Sequence, residues 1–356
     1  MDCPSGEHGP MIHLYAEYLQ NIRTLSIQAS LATPSNQATK AILTADRHYL
    51  TLEHEGEKAT IPLPVSLGSH GDRTLAVPAA PTKDLTFRLN VGPRLEPHDA
   101  LSNSVHNPEN IIPWMAGDLT PETAVSCATC HAEIIGPGQI RQWKDLPSEG
   151  WAEMMDFWHC HKPDEPHGHA QEAENIQSAS ILCMKCHTAI GVLDPSTEGF
   201  KLRKPCLSVA VSQKSSSQGY SHEKWLSSAL LTAAESQGVM RLALHTSDEC
   251  SDHPISMMHT WLFAPDLMIS SSAADTTDAI RVVKVLYREG VPADLETLGK
   301  MGSAEGELEV SEEEWCEMRT LLDRAAALLP EKARRFQQWK VGLLRRFVED
   351  DVSDMR

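Results

Sequence analysis

Two Cys-x-x-Cys pairs, Cys127-Ala-Thr-Cys130 and Cys183-Met-Lys-Cys186, constrain this chain more than any other feature. Thiolates separated by two residues can reach one tetrahedral Zn²⁺ from a single tight turn, with bonds of about 2.3 Å. Two such turns supply the four sulfurs of a closed structural site. Cys127, Cys130, Cys183 and Cys186 are therefore expected to ligate one structural Zn²⁺, which would pin together the ends of the insertion between them. Two alternatives stand beside this reading: plain buried thiols, chiefly for the second pair, and a redox Cys-x-x-Cys, although neither pair sits in a thioredoxin-like βαβ pattern. The chain has nine cysteines, an odd number, and five of them fall from Cys127 to Cys186. A disulfide framework would distribute even numbers over a small secreted fold. Met1-Asp-Cys-Pro-Ser-Gly-Glu also lacks the basic start and apolar stretch of a secretory signal. A reducing cell interior is expected.

Charge narrows the partners. Lys and Arg number 31 against 49 Asp and Glu, a formal charge of −18. Nucleic-acid affinity rests largely on cations that displace counterions from phosphates, so no direct nucleic-acid binding is expected. The same charge favours basic protein partners, or serves solubility alone. No apolar run approaches the ~20 residues of a membrane-spanning helix, so no membrane association is expected either.

Hydrophobic periodicity divides the chain into three stretches, with no internal repeat apparent. In residues 1–120, Leu25, Ile27, Ala29 and Leu31 alternate with polar or small residues, as do Leu85, Phe87, Leu89 and Val91. Ile61, Leu63 and Val65 alternate with prolines, which suits an edge strand, and His54-Glu-Gly-Glu-Lys58 offers a hairpin turn. An N-terminal β-rich domain of sandwich or partial-barrel type follows. Residues 121–199 form the Cys-, His- and Trp-rich region expected to hold zinc. Within it, Pro163–Ser178 is polar and reads as a surface insertion. In residues 200–356, Ser212–Gly219 has linker composition, and Ser221 can cap a helix bearing Trp225, Leu226, Ala229, Leu230 and Ala233. Arg241–Leu244, Thr260–Phe263 and Ile280–Tyr287 look like strands. Ser311 and Glu314 form a capping box ahead of Trp315, Met318, Leu321, Leu322 and Ala325. Pro330 ends that helix, and Phe336, Trp339, Leu343 and Phe347 predict a second. The fold class is α+β: an N-terminal β-rich domain, a zinc-stapled central insertion, and a C-terminal mixed α/β domain ending in helices.

Between the cysteine pairs lies Trp143-Lys-Asp-Leu-Pro-Ser-Glu-Gly-Trp151, followed by Trp158-His-Cys-His161. Ser148 can cap a short helix that carries Trp151, Met154, Met155 and Trp158 on one face. Cys160 and His161 would then emerge just past its last turn. Three readings compete for them: ligands of the chain's own zinc, groups presented to a partner's metal or catalytic centre, or packing and surface residues.

Leu146-Pro-Ser-Glu149, Trp151, Trp158 and Cys160-His161, placed after a Cys-x-x-Cys, resemble the HECT-like family of ubiquitin-conjugating-enzyme-binding proteins, its fungal members above all. The likeness continues through Trp225–Ala234, Arg241–Leu244, Trp261-Leu-Phe263-Ala-Pro-Asp266 and Ile280–Tyr287. It implies a HECT-like region from about Phe200 onward and two functions. One is ubiquitin ligation through a bound conjugating enzyme. The other is a non-catalytic role beside the metallo-β-lactamase-type endonuclease that cleaves pre-mRNA 3′ ends, in which Leu146, Pro147, Ser148, Glu149, Trp151, Trp158, Cys160 and His161 would engage the nuclease and Cys160 would meet its zinc centre. Membership alone does not choose between these functions. Both imply work in the cytoplasm and nucleus.

A HECT-type ligase needs an exposed, activated cysteine to take ubiquitin as a thioester. Outside the zinc region the later candidates are Cys206, Cys250 and Cys316. Cys206 follows Lys204-Pro205, Cys250 lies among acidic neighbours, and Cys316, beside Trp315 in a helix, is expected to pack. No Gly-x-Ser-x-Gly elbow, phosphate-binding Gly-rich loop or His-Glu-x-x-His occurs. Protein binding is the preferred function, with cysteine-thioester ubiquitin transfer as the alternative.

Overall fold

A computed structural model describes residues 12–67, 73–91, 110–144, 180–194, 199–211, 218–219, 221–246, 257–290 and 305–353. The chain is an α+β protein that divides into two compact units. The first contains residues 1–109 and 233–346, and the second residues 110–232 and 347–356. The three consecutive stretches expected from periodicity are thus regrouped, because the first strands pair with strands made some 250 residues later (Tyr15 opposite Ser271, |i−j| of 258 between Leu14 and Ser272).

The first unit opens with seven strands: β1 (Ile12–Leu19), β2 (Thr24–Leu31), β3 (Lys40–Leu43), β4 (Tyr49–His54), β5 (Glu57–Pro62), β6 (Arg73–Leu75) and β7 (Asp84–Asn90). β2 and β7 carry the expected alternation, and Leu25, Ile27, Ala29, Leu31, Leu85 and Phe87 are buried. β4 and β5 form the expected hairpin. Glu55 and Gly56 both take positive φ, +50° and +85°, as a tight two-residue turn requires. β5 lies at the edge of the small sheet β5-β4-β3-β6, where Pro62 forfeits no ladder hydrogen bond.

The second unit supplies β8 (Ala124–Cys127), β9 (Glu133–Ile135), β10 (Ser180–Leu182), β11 (Ala189–Asp194), β12 (Gly199–Leu202), β13 (Leu207–Ala210) and β14 (Gln218–Gly219). They form two small sheets, β14-β13-β8-β9 and β10-β11-β12. The helix His222–Ser236 follows, begun as expected at Ser221, whose carbonyl accepts the Trp225 N–H at 2.9 Å. The boundary between the units falls within this helix.

The chain then completes the first unit with β15 (Arg241–Thr246), β16 (Met257–Ser271), β17 (Ile280–Gly290), β18 (Gly306–Val310), β19 (Arg335–Phe336) and β20 (Trp339–Arg345). The resulting large sheet runs β19-β20-β17-β16-β1-β2-β7, with β15 pairing β16 and β18. β1 is covered on both faces. Leu14 and Ala16 enter the core shared with the small sheet, whereas Tyr15 joins a second core with Leu267, Ile269, Val282, Leu286 and Leu343. Its register is reinforced from two strands away, where Lys284 of β17 forms an ion pair with Glu17, which also accepts the Tyr15 hydroxyl at 2.8 Å.

The helix Glu312–Ala325 begins at the expected capping box. Ser311 Oγ accepts the Glu314 N–H at 3.2 Å, and Glu314 Oε2 accepts the Ser311 N–H at 2.9 Å. Its buried stripe is Trp315, Met318, Leu321, Leu322 and Ala325. The helix rests so closely on β20 that a Cβ at Gly342 would lie 2.5 Å from a Leu322 methyl.

One expectation is corrected here. Phe336–Phe347 is not helical: Arg335–Phe336 and Trp339–Arg345 form a hairpin, with Phe336 opposite Trp339 and Gln337 at φ +53°. Val341–Leu344 is a continuous buried run covered on both faces, and such a run carries no period that separates strand from helix. The chain still closes on a short helix, Glu349–Ser353. Among the described residues, no helix is long and apolar enough to cross a membrane.

Candidate metal centre

The two Cys-x-x-Cys segments occupy equivalent positions in two hairpins of the second unit, one between β8 and β9 and one between β10 and β11. In the first, the His131 N–H donates to the Cys127 carbonyl (2.9 Å) and the Cys127 N–H to the Ala132 carbonyl (2.9 Å). In the second, the His187 N–H donates to the Cys183 carbonyl (2.8 Å) and the Cys183 N–H to the Thr188 carbonyl (2.9 Å). His131 and His187 both adopt left-handed φ, +56° and +58°, a conformation that histidine tolerates better than most residues. The chain therefore repeats one six-residue turn, Cys-x-x-Cys-His-(Ala/Thr), whose reversal points both sulfurs the same way. This local repeat was missed from sequence, although the shared histidine was its visible signal.

Facing one another, the turns bring Cys127 Sγ to 3.6 Å from Cys186 Sγ and Cys130 Sγ to 3.6 Å from Cys183 Sγ. All four sulfurs lie within 4.8 Å of one another. A tetrahedron with Zn–S bonds of about 2.3 Å has S···S edges of about 3.8 Å, so the two 3.6 Å contacts already match, and the widest separation would close by at most about 1 Å around zinc. The two 3.6 Å approaches run across the pairs, so all four sulfurs converge on one point, which is the arrangement of four ligands around one ion. A Cys-x-x-Cys-His segment is also the spacing that attaches haem through thioethers. Here all four thiols converge on one another, and both histidines are exposed.

The surroundings suit thiolates. The Thr188 hydroxyl lies 3.2 Å from Cys186 Sγ; this hydroxyl and the Thr188 N–H bring Cys186 down to about 6. The N–H groups of Cys186 and Lys185 lower Cys183 as well. Cys130 moves the other way. The Ala132 N–H favours its thiolate, but burial and the facing sulfurs push it up to about 12. Four sulfurs this close cannot all be anionic without a cation among them, and a divalent ion would take the place of their protons. Cys127 and Cys183, 0% and 3% exposed, also belong to the apolar core of this unit with Val125, Ile190, Leu207 and Val209.

Beside the cluster, a cavity of about 190 Å³ is lined by Trp114, Leu119, Trp143, Leu202, Leu207 and Val209. Lys204 Nζ donates to the carbonyls of Pro113 (2.9 Å) and Trp114 (3.2 Å), and Trp143 Nε1 to that of Thr120 (2.9 Å). These bonds hold the wall.

The structure thus brings together Cys127, Cys130, Cys183 and Cys186. Leu146, Pro147, Ser148, Glu149, Trp151, Trp158, Cys160 and His161 lie outside the described residues, as does Cys250. Of the remaining thiols, Cys206 is half-buried in a 3-10 turn, where its carbonyl accepts the Ala128 N–H at 3.0 Å. Cys316 is exposed, contrary to its expected packing role, because Trp315 takes the inward position of that turn.

The family model described as HECT-like ubiquitin-conjugating enzyme (E2)-binding matches residues 17–175 and 167–341. An uncharacterized protein of Schizosaccharomyces pombe is 26% identical over 277 residues, covering 66% of this chain and 78% of the relative. An uncharacterized protein of Saccharomyces cerevisiae is 21% identical over 261 residues, covering 64% of this chain and 71% of that relative. No solved structure matches the chain. With the family match spanning strands of both units and all four clustered cysteines up to Cys186, the chain belongs to the HECT-like ubiquitin-conjugating enzyme (E2)-binding family.

Proposed function

We propose that the chain is a zinc-stapled protein-binding factor that engages a ubiquitin-conjugating enzyme and supports or regulates it. One observation carries this reading: the E2-binding family match runs through both units rather than through a detachable module. The four-thiol cluster supplies the staple, since small sheets of three and four strands bury little core by themselves. Such a protein would work in the cytoplasm and nucleus.

The test is calorimetric titration of the purified, zinc-loaded chain with individual ubiquitin-conjugating enzymes, beside a ubiquitin thioester assay. Saturable binding of at least one enzyme, without a reductant-sensitive ubiquitin adduct on this chain, is expected. Failure of every conjugating enzyme to bind would overturn the reading. An adduct abolished by Cys206→Ser, Cys250→Ser or Cys316→Ser alone would replace it with thioester ligation.

A second contact concerns the pre-mRNA 3′-end endonuclease. Cys127, Cys130, Cys183 and Cys186 could by themselves supply the four donors of a tetrahedral zinc site, which would leave Cys160 available to a partner. This supports presentation of Cys160, within Leu146–His161, to a partner's zinc. Elemental mass spectrometry should find one zinc per chain in both wild type and Cys160→Ser. Loss of zinc from the variant would make Cys160 a structural ligand and end this second reading.

A further inference from the structure

The cavity beside the four thiols lies wholly within the second unit, and nine of its eleven lining residues are apolar. Both small sheets contribute to it, Val125, Leu207 and Val209 from one and Leu202 from the other. Protein interiors leave few voids larger than a water molecule, and an unfilled one lowers stability in proportion to its volume. The 190 Å³ of this cavity is ample for a ring, since an apolar cavity of about 150 Å³ already admits benzene. Its wall is also held in an unfavourable backbone. Trp114, only 6% exposed, has φ +60°, a left-handed conformation that is a true outlier for a bulky side chain. Such strain persists where the surroundings over-determine it, and it concentrates at ligand clamps. Here Lys204 Nζ spans the carbonyls of Pro113 and Trp114, the two that flank the strained dihedral. Trp143, the other tryptophan of the lining, is fixed through its bond to the Thr120 carbonyl. A cost in packing and a cost in backbone thus fall on the same wall.

We propose that this cavity is a binding site for one neutral, ring-sized apolar group, carried either by a free aromatic molecule or by an aromatic side chain of a peptide. A guest of that kind would offset both costs, replacing empty space with contacts against a wall already set in place. Two tryptophans in the lining favour an aromatic guest, because ring pairs gain more than the area they bury. Water fits poorly, since a buried water needs several polar partners. The charged side chains of the lining are Lys144, which is exposed, and Lys204, which is bonded to backbone carbonyls. An ammonium would meet these two lysines, and a carboxylate would exchange its hydration for a mainly apolar surface.

The experiment titrates the full zinc-loaded chain by calorimetry with indole, benzoate and N-acetyl-tryptophanamide. Indole should bind with a dissociation constant on the order of 0.1–1 mM and with a negative heat-capacity change. Benzoate should bind at least about tenfold more weakly. N-acetyl-tryptophanamide tighter than indole would support a ring carried by a peptide, and indole the tighter of the two would support a free molecule. Val209→Phe and Ala116→Leu each add volume to the lining, so each should weaken indole by about 30-fold. Zinc content equal to wild type shows that a variant has kept its fold, and the second filled variant serves if the first has not. No saturable binding of indole or N-acetyl-tryptophanamide, or binding that the folded, filled variants retain, would overturn the site. Benzoate tighter than indole would refute the neutral class. Indole bound only after Trp151→Ala or Trp158→Ala would mean that a ring of this chain already fills the cavity, and would refute the proposal as well.

Discussion

The two units solve the same problem in different ways. The first buries long strands: β16 spans Met257–Ser271 and β17 Ile280–Gly290, and its two cores fill both faces of β1. Among its described residues the second has no strand longer than six residues, and two of the eight buried side chains in its core cluster are the cysteines Cys127 and Cys183. Area removed from water sustains one, whereas the other brings together four thiols that a metal could staple. A region rich in loops gains order from a metal where it cannot gain it from core.

Metal removal should separate them most sharply. Stripping zinc with a chelator, or substituting Cys127→Ser, is expected to cost the second unit on the order of 10 kcal/mol. Hydrogen exchange should then lose protection at 124–135, 180–190 and 207–210, while β1, β2 and β17 keep theirs. Simultaneous loss in both units would break the distinction. The reciprocal probe is Leu14→Ala, which opens a cavity in the fully buried centre of β1. It should destabilise the first unit by about 4 kcal/mol, seen as a lower urea midpoint, with the zinc content intact. Asp266→Ala follows, because it leaves the buried Arg346 and its neighbour Arg281 without their shared carboxylate. A loss of about 3 kcal/mol is expected, with faster exchange around Pro265 as the local signature. Smallest is Ser311→Ala, which removes the cap of Glu312–Ala325 and should lower stability by about 1 kcal/mol in thermal melts.

Legibility in the sequence followed locality. The alternation in β2 and β7, the Glu55–Gly56 hairpin and the Ser311 box are each written within a few residues, and each was readable. The four cysteines were readable because metal ligation imposes residue type as well as spacing. Phe336–Phe347 misled because four apolar residues at helical intervals overlie a run that is apolar on both sides. The regrouping of the units was invisible for a different reason. Nothing around Ile12–Leu19 records that its partner is Met268–Ser271, since that pairing is set by register between distant strands. The bulge at Phe263, where β16 breaks step with β17, was hidden likewise, as it exists only relative to β17. Exposure of Cys316, by contrast, was readable, because the stripe of Trp315, Met318, Leu321, Leu322 and Ala325 leaves position 316 off the buried face.

The pairing of β1 with β16 also gives the polypeptide a biography. At translation rates of roughly 5–20 residues per second, the first hairpin leaves the ribosome tens of seconds before the strand that will cover its open edge. Both cysteine turns are made during that interval, so the four clustered thiols are all present while the first unit still waits for β16. An exposed strand edge held that long invites pairing with other chains. Production of this protein should accordingly depend on how quickly its last hundred residues arrive, and truncations that spare every clustered cysteine but remove β16 should aggregate rather than yield a smaller soluble fold.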